Sequence, residues 1–256
     1  MPVGHSLSPV LHNAAYAALG LDGWEYEAHE CVEARLAGFV AGLGPEWAGL
    51  SLTMPLKRVA LDVADRVAPG AAAIGAANTL VRRGGLWEAH NTDVAGIVAA
   101  LGGAVLERAV VLGAGGTAQA ALAALTELGV PDVTVLVRSA ARAVELRAAA
   151  DRLGARPVIR EGLRSFDRAD VVVSTLPAGA ADELVGVRPG ATVLDVVYAP
   201  WPTPFAAAAE AAGARVVSGL EMLLHQAAAQ VELMTGRPGP VAAMRDALDD
   251  AVAARM

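Results

Sequence analysis

Residues 109–118 read AVVLGAGGTA, and this stretch decides the fold. Its aliphatic start, Ala109–Leu112, predicts a buried strand, and Thr117–Leu128 has the pattern of a helix. The turn between them, Gly113-Ala114-Gly115-Gly116-Thr117, is a variant of G-x-G-x-x-G. Glycines there permit a tight turn and let backbone N–H groups approach a pyrophosphate at the positive end of the helix. The stretch therefore predicts a nucleotide-binding loop, with a glycine-rich turn that holds no ligand as the alternative.

Outward from this loop, short aliphatic runs alternate with helical patterns. A helix is predicted over Ala140–Leu153, and further strands are predicted over Val133–Val137, Asp170–Thr175, Thr192–Val197 and Arg215–Val217. Strands separated by helices imply a parallel sheet with right-handed crossovers. Residues 96–219 are therefore predicted to form a Rossmann-like, doubly wound domain.

The flanking regions have a different order of predicted helices and strands. They predict a second α/β domain from residues 1–95 and 220–256. Ser8 is expected to cap a helix with Pro9 in its first turn. The remaining elements are expected as strands over Trp24–Cys31 and Gly49–Thr53, helices over Val59–Val67 and Ala71–Ile74, a hairpin of Leu80–Arg83 with Leu86–Ala89, and two C-terminal helices interrupted at 236–240.

Composition excludes several functions. The 256 residues are 55% hydrophobic and carry a net charge of −7, so no basic field attracts nucleic acid or an anionic membrane. Cys31 is the sole cysteine and the five histidines are scattered, which argues against a disulfide or a metal site. The start shows no signal peptide, and the uncharged run 109–126 fits a strand and helix better than a membrane span. A cytoplasmic location is expected.

Lys57 is the only lysine among 20 basic side chains, the other 19 being arginine. Arginine has been used wherever a surface cation suffices. A single lysine indicates a position that needs what arginine cannot do, namely release a proton near neutral pH. Composition alone leaves open the chance survival of one lysine codon.

The residues after Val133–Val137 indicate the cofactor. NAD enzymes usually place Asp or Glu at the end of this strand to bind the ribose 2′-hydroxyl. Here Arg138 and Ser139 follow the strand, with Arg142 one turn later and no carboxylate in the segment. Two guanidiniums and a hydroxyl suit a 2′-phosphate, which favours NADP over NAD. Solvated surface arginines are the alternative.

Four segments carry polar residues that the composition does not explain. They are His5–Pro9, Ser51–Lys57, Gly75–Thr79 and Asn91–Gly96. The hydroxyls of the first segment lie just before a helix, where a small carboxylate can bind, although helix capping explains them equally. Asn78 and Asn91 are two of only three asparagines, and loop capping is their alternative reading.

Together these motifs resemble the shikimate dehydrogenase family nearly end to end. The ordered motifs are Ser-x-Ser-Pro, Thr-x-Pro-x-Lys, Ala-Asn-Thr, Asn-Thr-Asp-x-x-Gly, Gly-Ala-Gly-Gly, Arg-Ser-x-x-Arg, Asp195-x-x-Tyr198 with Pro202-Thr203-Pro204, and Gly219-Leu220-x-Met222-Leu223 followed by Gln226. The resemblance implies an NADP-binding Rossmann-like domain and a substrate domain with a mainly parallel sheet. It also implies the NADPH-dependent, reversible reduction of 3-dehydroshikimate to shikimate in aromatic amino-acid biosynthesis.

The resemblance further implies roles for individual residues. Lys57 and Asp93 would form the catalytic pair beside the reacting carbonyl. Ser6 and Ser8 would bind the substrate carboxylate. The residues implied to bind substrate hydroxyls are Thr53, Asn78, Asp93, Tyr198 and Gln226, and those implied to lie beside the nicotinamide are Val196 and Gly219.

Four departures from the family and three rival functions stand beside this reading. His90 precedes Asn91 where Asp is expected, and Val137 replaces an Asn before Arg138. Ser51 replaces a common Asn, and the strand expected before the Ser-x-Ser-Pro turn is absent or reduced to Pro2-Val3, so either the start is placed too late or the domain tolerates the loss.

The rival functions are an NAD-linked quinate/shikimate dehydrogenase, an enzyme of the methylene-tetrahydrofolate dehydrogenase type, and a non-catalytic nucleotide-binding paralogue with a truncated start. A monomer and a homodimer are both compatible with the sequence.

Overall fold

The computed structural model describes residues 3–4, 6–103, 106–162, 166 and 168–255. They form two compact units. The first comprises Met1–Ala72, Ala76–Thr92 and Leu223–Met256, and the second comprises Ala73–Gly75 and Asp93–Met222. The sequence predicts domain boundaries at residues 95/96 and 219/220.

The first unit begins with α1 (Ser8–Ala18) and α2 (Glu33–Ala41). The next elements are β1 (Gly49–Ser51), α3 (Val59–Val63), β2 (Arg66–Val67), α4 (Pro69–Ile74), β3 (Thr79–Arg83) and β4 (Leu86–His90). Its four strands lie in the order β1-β3-β4-β2. A buried cluster that includes Leu36, Leu52, Leu80 and Trp87 packs this sheet against its helices.

Three expectations for this unit are corrected. The sheet is mixed and not mainly parallel, since β3 pairs with β1 and with β4 in antiparallel fashion, whereas β2 pairs with β4 in parallel. The helix predicted over Val59–Val67 stops at Val63, because Arg66 and Val67 pair with β4 instead. Helix α1 starts at Ser8 itself, with Leu7 as its N-cap residue.

The strand predicted over Trp24–Cys31 is also wrong. Its alternating aromatic and polar residues suit a strand, but no ladder includes them among the residues that the structure describes. A strand exists only where a second edge supplies hydrogen-bond partners. This segment and β1 instead line a shared cavity of about 420 Å³.

The second unit starts with α5 (Asp93–Ala100) and β5 (Arg108–Leu112). It continues through α6 (Gly116–Glu127), β6 (Asp132–Val137), a 3-10 turn (Ala140–Ala143), α7 (Val144–Leu153), β7 (Val158–Glu161), β8 (Val171–Ser174), β9 (Thr192–Asp195), α8 (Pro204–Ala211) and β10 (Arg215–Ser218). Sequence analysis missed β7, whose residues are mostly exposed, and it merged the 3-10 turn with α7. Helix α9 (Gly219–Thr235) crosses from this unit into the first, where α10 (Val241–Ala253) ends the fold.

All six strands of the second sheet are parallel, in the order β10-β9-β8-β5-β6-β7. Strands β8 and β9 are buried along their whole length, as expected when helices cover both faces of a parallel sheet. The chain runs from β5 outward to β7, then returns to β8 beside β5 and proceeds to β10. The switch point therefore lies between β5 and β8, where doubly wound sheets bind their ligands.

No helix in the part of the chain that the structure describes combines the length and the apolar character needed to cross a bilayer.

Candidate active site

The glycine loop lies at the switch point of the parallel sheet. Gly113 follows β5 with φ of +111°, and a Cβ there would come within 2.5 Å of Thr175 Oγ1. Thr175 follows β8 and is held against β5 by two hydrogen bonds to the Leu112 carbonyl, at 2.7 Å from its hydroxyl and 3.0 Å from its backbone N–H. Only glycine combines this backbone conformation with this closeness.

The first turn of α6 is built to receive an anion. Gly115 is the N-cap residue of this helix, and no side chain of its own satisfies the N–H groups behind it. A Cβ at Gly115 would meet nothing within 4 Å, so the space in front of the loop is open. Open space and backbone donors at a helix start fit a pyrophosphate, so the loop fits a dinucleotide.

The arginines predicted to bind a 2′-phosphate follow β6, one strand away from the loop. Arg138 and Arg142 are exposed, and Ser139 is half-buried between them. The expectation that no carboxylate lies beside these arginines is wrong. The Glu161 carboxylate, at the end of β7, accepts a hydrogen bond of 2.6 Å from the Ala140 N–H. Because β7 was not predicted, nothing in the sequence placed this acid beside the arginines.

Val196 and Gly219 come together at the far side of the same sheet. Gly219 starts α9 directly after β10, and a Cβ on it would overlap the carbonyl group of Val196, which follows β9. Tyr198 lies two residues further along the same turn and is half-buried. Both residues implied to lie beside the nicotinamide are thus at the carboxyl edge that carries the glycine loop.

In the first unit, the side-chain amide of Asn78 is held at both ends. Its Oδ1 accepts hydrogen bonds from the Thr92 backbone N–H at 2.8 Å and the Thr79 hydroxyl at 2.9 Å. Its Nδ2 donates to the Thr92 hydroxyl at 2.9 Å and to Gln226 Oε1 at 3.1 Å. A backbone N–H can only donate, so the orientation of the amide is determined. The fold thus joins Asn78 to Gln226, which is far away in the sequence.

Lys57 lies close to this network through the backbone. The Ala77 N–H donates to the Lys57 carbonyl at 2.7 Å, and the Leu52 N–H donates to the Asn78 carbonyl at 2.7 Å. These bonds join the turn after β1 to the segment that carries Asn78. Lys57 is half-buried there, and Thr53 is exposed.

Asp93, the proposed partner of Lys57, begins α5 in the second unit and is 3% exposed. A carboxylate in the first turn of a helix interacts favourably with the helix dipole. Its direct chain neighbour Thr92 holds Asn78 in the first unit, so the Asn-Thr-Asp motif spans the boundary between the two units.

In the Ser-x-Ser-Pro turn, a serine hydroxyl satisfies the first backbone N–H group of α1. Ser6 Oγ accepts a hydrogen bond of 3.2 Å from the Ser8 N–H. An accepting hydroxyl still has its own proton to donate, so capping and anion binding are compatible. The Tyr26 hydroxyl is hydrogen-bonded to Ser51, the position that departs from the family pattern. His5, at the start of this segment, lies outside the described residues.

Two buried residues that sequence analysis did not select support this arrangement. Gln230 is 0% exposed, and its Nε2 donates to the Thr79 hydroxyl at 3.0 Å. His12 is also 0% exposed, donates from Nδ1 to the Ser8 carbonyl at 2.9 Å, and stacks on Tyr26 with ring centroids 4.1 Å apart. Gln230 lies four residues after Gln226, so helical spacing was the signal that could have found it.

Burial lowers the pKa of His12 to about 4, and this makes stability depend on pH. The unfolded chain takes up a proton below about pH 6.5, while the native imidazole stays neutral down to about pH 4. The free energy of unfolding should therefore be fully maintained above pH 6.5 and fall by on the order of 3 kcal/mol as pH drops toward 4. Its ring neighbours Tyr16 and Tyr26 stay neutral throughout this range.

Urea unfolding at a series of pH values measures this effect. His12→Gln should remove that part of the pH slope, whereas the same substitution at the exposed His29 should leave it unchanged. An unaltered slope in His12→Gln would show that other groups carry the dependence.

The doubly wound sheet, its glycine loop and the arginines after β6 define a dinucleotide-binding α/β protein. Comparison with known proteins specifies the family. Residues 1–80 match the family model described as shikimate dehydrogenase substrate binding domain, and residues 219–248 match the shikimate 5′-dehydrogenase C-terminal domain. The chain belongs to the shikimate dehydrogenase family.

Individual relatives match over nearly the whole chain. A shikimate dehydrogenase (NADP(+)) from Oleidesulfovibrio alaskensis is 40% identical, over 98% of this chain and 93% of the relative. The crystal structure of the Mycobacterium tuberculosis shikimate dehydrogenase is 49% identical with a TM-score of 0.89, covering 98% of this chain and 96% of that one. The Thermus thermophilus enzyme, solved in complex with NADP(H) and shikimate, is 37% identical with a TM-score of 0.87 over 98% and 96% of the two chains.

Proposed function

We propose that this chain catalyses the NADPH-dependent, reversible reduction of 3-dehydroshikimate to shikimate. The observation that carries the proposal is the buried network in which Asn78 joins Thr92 to Gln226, next to the backbone hydrogen bond from Ala77 to Lys57. A polyhydroxylated ring needs a polar site, because each unmatched hydroxyl lowers affinity. Family membership supports the same reaction.

In this proposal each site residue has a specific role. Ser6 and Ser8 bind the substrate carboxylate. Lys57 stabilises the alkoxide that forms at the reacting carbonyl oxygen and protonates it, and Asp93 holds the ammonium in place. The substrate hydroxyls are bound by Thr53, Asn78, Asp93, Tyr198 and Gln226.

NADPH supplies the hydride that reaches the carbonyl carbon. The cofactor-binding residues in this proposal are Gly113, Ala114, Gly115, Gly116, Thr117, Arg138, Ser139, Arg142, Val196 and Gly219. The first unit is the substrate-binding unit and the second is the NADP-binding unit. We further propose a cytoplasmic enzyme that is a monomer or a homodimer, which light scattering after size exclusion distinguishes.

Absorbance at 340 nm during oxidation of shikimate or quinate, with NADP⁺ or NAD⁺, tests the proposal. We expect the highest kcat/KM for shikimate with NADP⁺. A preference for quinate with NAD⁺ would favour a quinate/shikimate dehydrogenase. Calorimetric binding of NADP⁺ without turnover of either acid would overturn the proposal in favour of a non-catalytic paralogue.

A further inference from the structure

Asp195 is a buried acid to which the proposed function assigns no role. It ends β9 and is 2% exposed. Its Oδ2 accepts a hydrogen bond of 2.7 Å from the Thr203 hydroxyl, and its Oδ1 accepts one of 3.2 Å from the Val197 N–H. A buried carboxylate with such donors is costly to assemble, so its place in the fold suggests a purpose.

The hydrogen bonds of Asp195 hold one turn of chain at two points. The first is the Val197 N–H, next to Val196. The second is Thr203, whose Oγ also accepts from the Ala206 N–H and so caps α8 at 3.0 Å. The turn between these points carries Tyr198. One carboxylate therefore ties the end of β9, the turn and the start of α8 together.

Asp195 also lies against β8 within the sheet. The Val196 N–H donates to the Ser174 carbonyl at 3.0 Å, which fixes the end of β9 against the end of β8. Burial raises the pKa of Asp195, and the hydrogen bonds from Thr203 and Val197 oppose that shift. Any group that replaces the carboxylate must satisfy the same donors.

The strand order shows what this turn faces. In the parallel sheet, β6, β5, β8 and β9 are successive neighbours, and their carboxyl ends lie at one edge. Arg138 follows β6 and Gly113 follows β5. In the proposed path, the cofactor's 2′-phosphate lies at Arg138 and its pyrophosphate at Gly113. The rest of the dinucleotide then continues past β8 to Val196. From β6 to β9 the distance is about 14 Å, since neighbouring strands are about 4.8 Å apart.

We propose that Asp195 is a positioning residue that holds the Val196–Tyr198 turn against the nicotinamide half of the bound cofactor. The inference rests on the proposed function, and specifically on the path of the cofactor along the sheet edge. Asp195 itself touches neither cofactor nor substrate. It acts through the backbone of Val196 and Val197 and through the placement of Tyr198.

Asp195→Asn is the direct test, because the amide keeps the shape but turns an NH₂ group toward one of the two donors. Calorimetric titration with two ligands gives the readout. We expect the Kd for NADP⁺ to rise about tenfold, while the Kd for adenosine 2′,5′-bisphosphate, which lacks the nicotinamide half, stays within about twofold. A merely structural role would weaken both ligands together.

Three further variants make the test independent of how well Asp195→Asn folds. Thr203→Val removes the hydroxyl donor from the other side and should reproduce the split between the two ligands, whereas Thr203→Ser keeps the hydroxyl and should restore normal binding. Asp182→Asn is the matched control, since Asp182 is an exposed acid whose charge acts on Asp195. It should change neither Kd.

Equal weakening of both ligands, or no change in either, would overturn the inference. The binding measurements need no substrate, so they are separate from the proposed reaction. If Asp195→Asn and Thr203→Val show the predicted split while the unaltered protein does not oxidise shikimate, the proposed function fails and the positioning role stands.

Discussion

Replacing Lys57 with arginine is expected to lower kcat for shikimate oxidation by about 10³-fold, with KM for shikimate within about threefold of normal. Arginine preserves the positive charge beside the substrate, so binding persists. It retains its proton at any pH that the protein tolerates, so it cannot take part in proton transfer. General acid–base catalysis typically contributes 10²- to 10⁴-fold to rate, and that contribution is what this variant removes.

Steady-state kinetics with NADP⁺ measures the effect, and the neighbouring residue supplies a control. Arg58 is exposed and adjacent in the chain, so Arg58→Lys is a control for altering this turn, and its combination with Lys57→Arg tests whether any lysine in the turn is sufficient. We expect that single variant to retain normal kcat. The double variant, Lys57→Arg with Arg58→Lys, should stay as slow as Lys57→Arg. Near-normal kcat in Lys57→Arg would mean that Lys57 only provides charge.

Removing both cofactor arginines should have the second largest effect. Arg138→Gln combined with Arg142→Gln is expected to raise KM for NADP⁺ by about 100-fold. In the proposed role each guanidinium donates charge-assisted hydrogen bonds to the 2′-phosphate, and because both side chains are exposed we expect the low end, about 1.5 kcal/mol apiece. NAD⁺ has no such phosphate, so its KM should change little and the preference for NADP⁺ should largely disappear.

The matched control removes two arginines from the same unit. Arg147 lies on α7 and Arg156 follows it, and both are exposed. Arg147→Gln with Arg156→Gln changes the net charge by the same amount, so it should leave KM for both nucleotides unchanged. If KM for NADP⁺ stayed normal in the Arg138 and Arg142 variant, those arginines would be solvated surface residues.

Five of the six strands of the second unit and its glycine loop were predictable because their signals are local. Valine-rich runs such as Val133–Val137 form strands that are buried on both faces, and the spacing of Gly113 and Gly115 reflects one turn. The family motifs are equally local, since each spans a few residues. No later contact in the fold is needed to recognise them.

Elements that depend on a distant edge were not predictable. Trp24–Cys31 has strand-like alternation yet joins no ladder among the described residues, while Arg66 and Val67 leave a helical pattern to pair with β4. Hydrogen-bond partners across a sheet are supplied by the tertiary fold. The mixed direction of the first sheet has the same cause.

Glu161 shows the same division in the cofactor segment. Sequence analysis selected Arg138 and Arg142 from their position after a strand, which is a local signal. The acid that accepts the Ala140 N–H comes from the end of β7, more than twenty residues later. Only the pairing of β6 with β7 brings it there.

The amino-acid sequence by itself determined the doubly wound fold class and the glycine loop, and it predicted the roles of Arg138, Arg142 and Lys57, because each depends on residue type and near spacing. Only the tertiary structure decided that Asn78 meets Gln226, that His12 is buried neutral, and that Asp195 ties Val197 to Thr203. The periodicity of helices and strands does not predict these contacts. They exist because burial leaves each polar group only the partners that the fold brings to it.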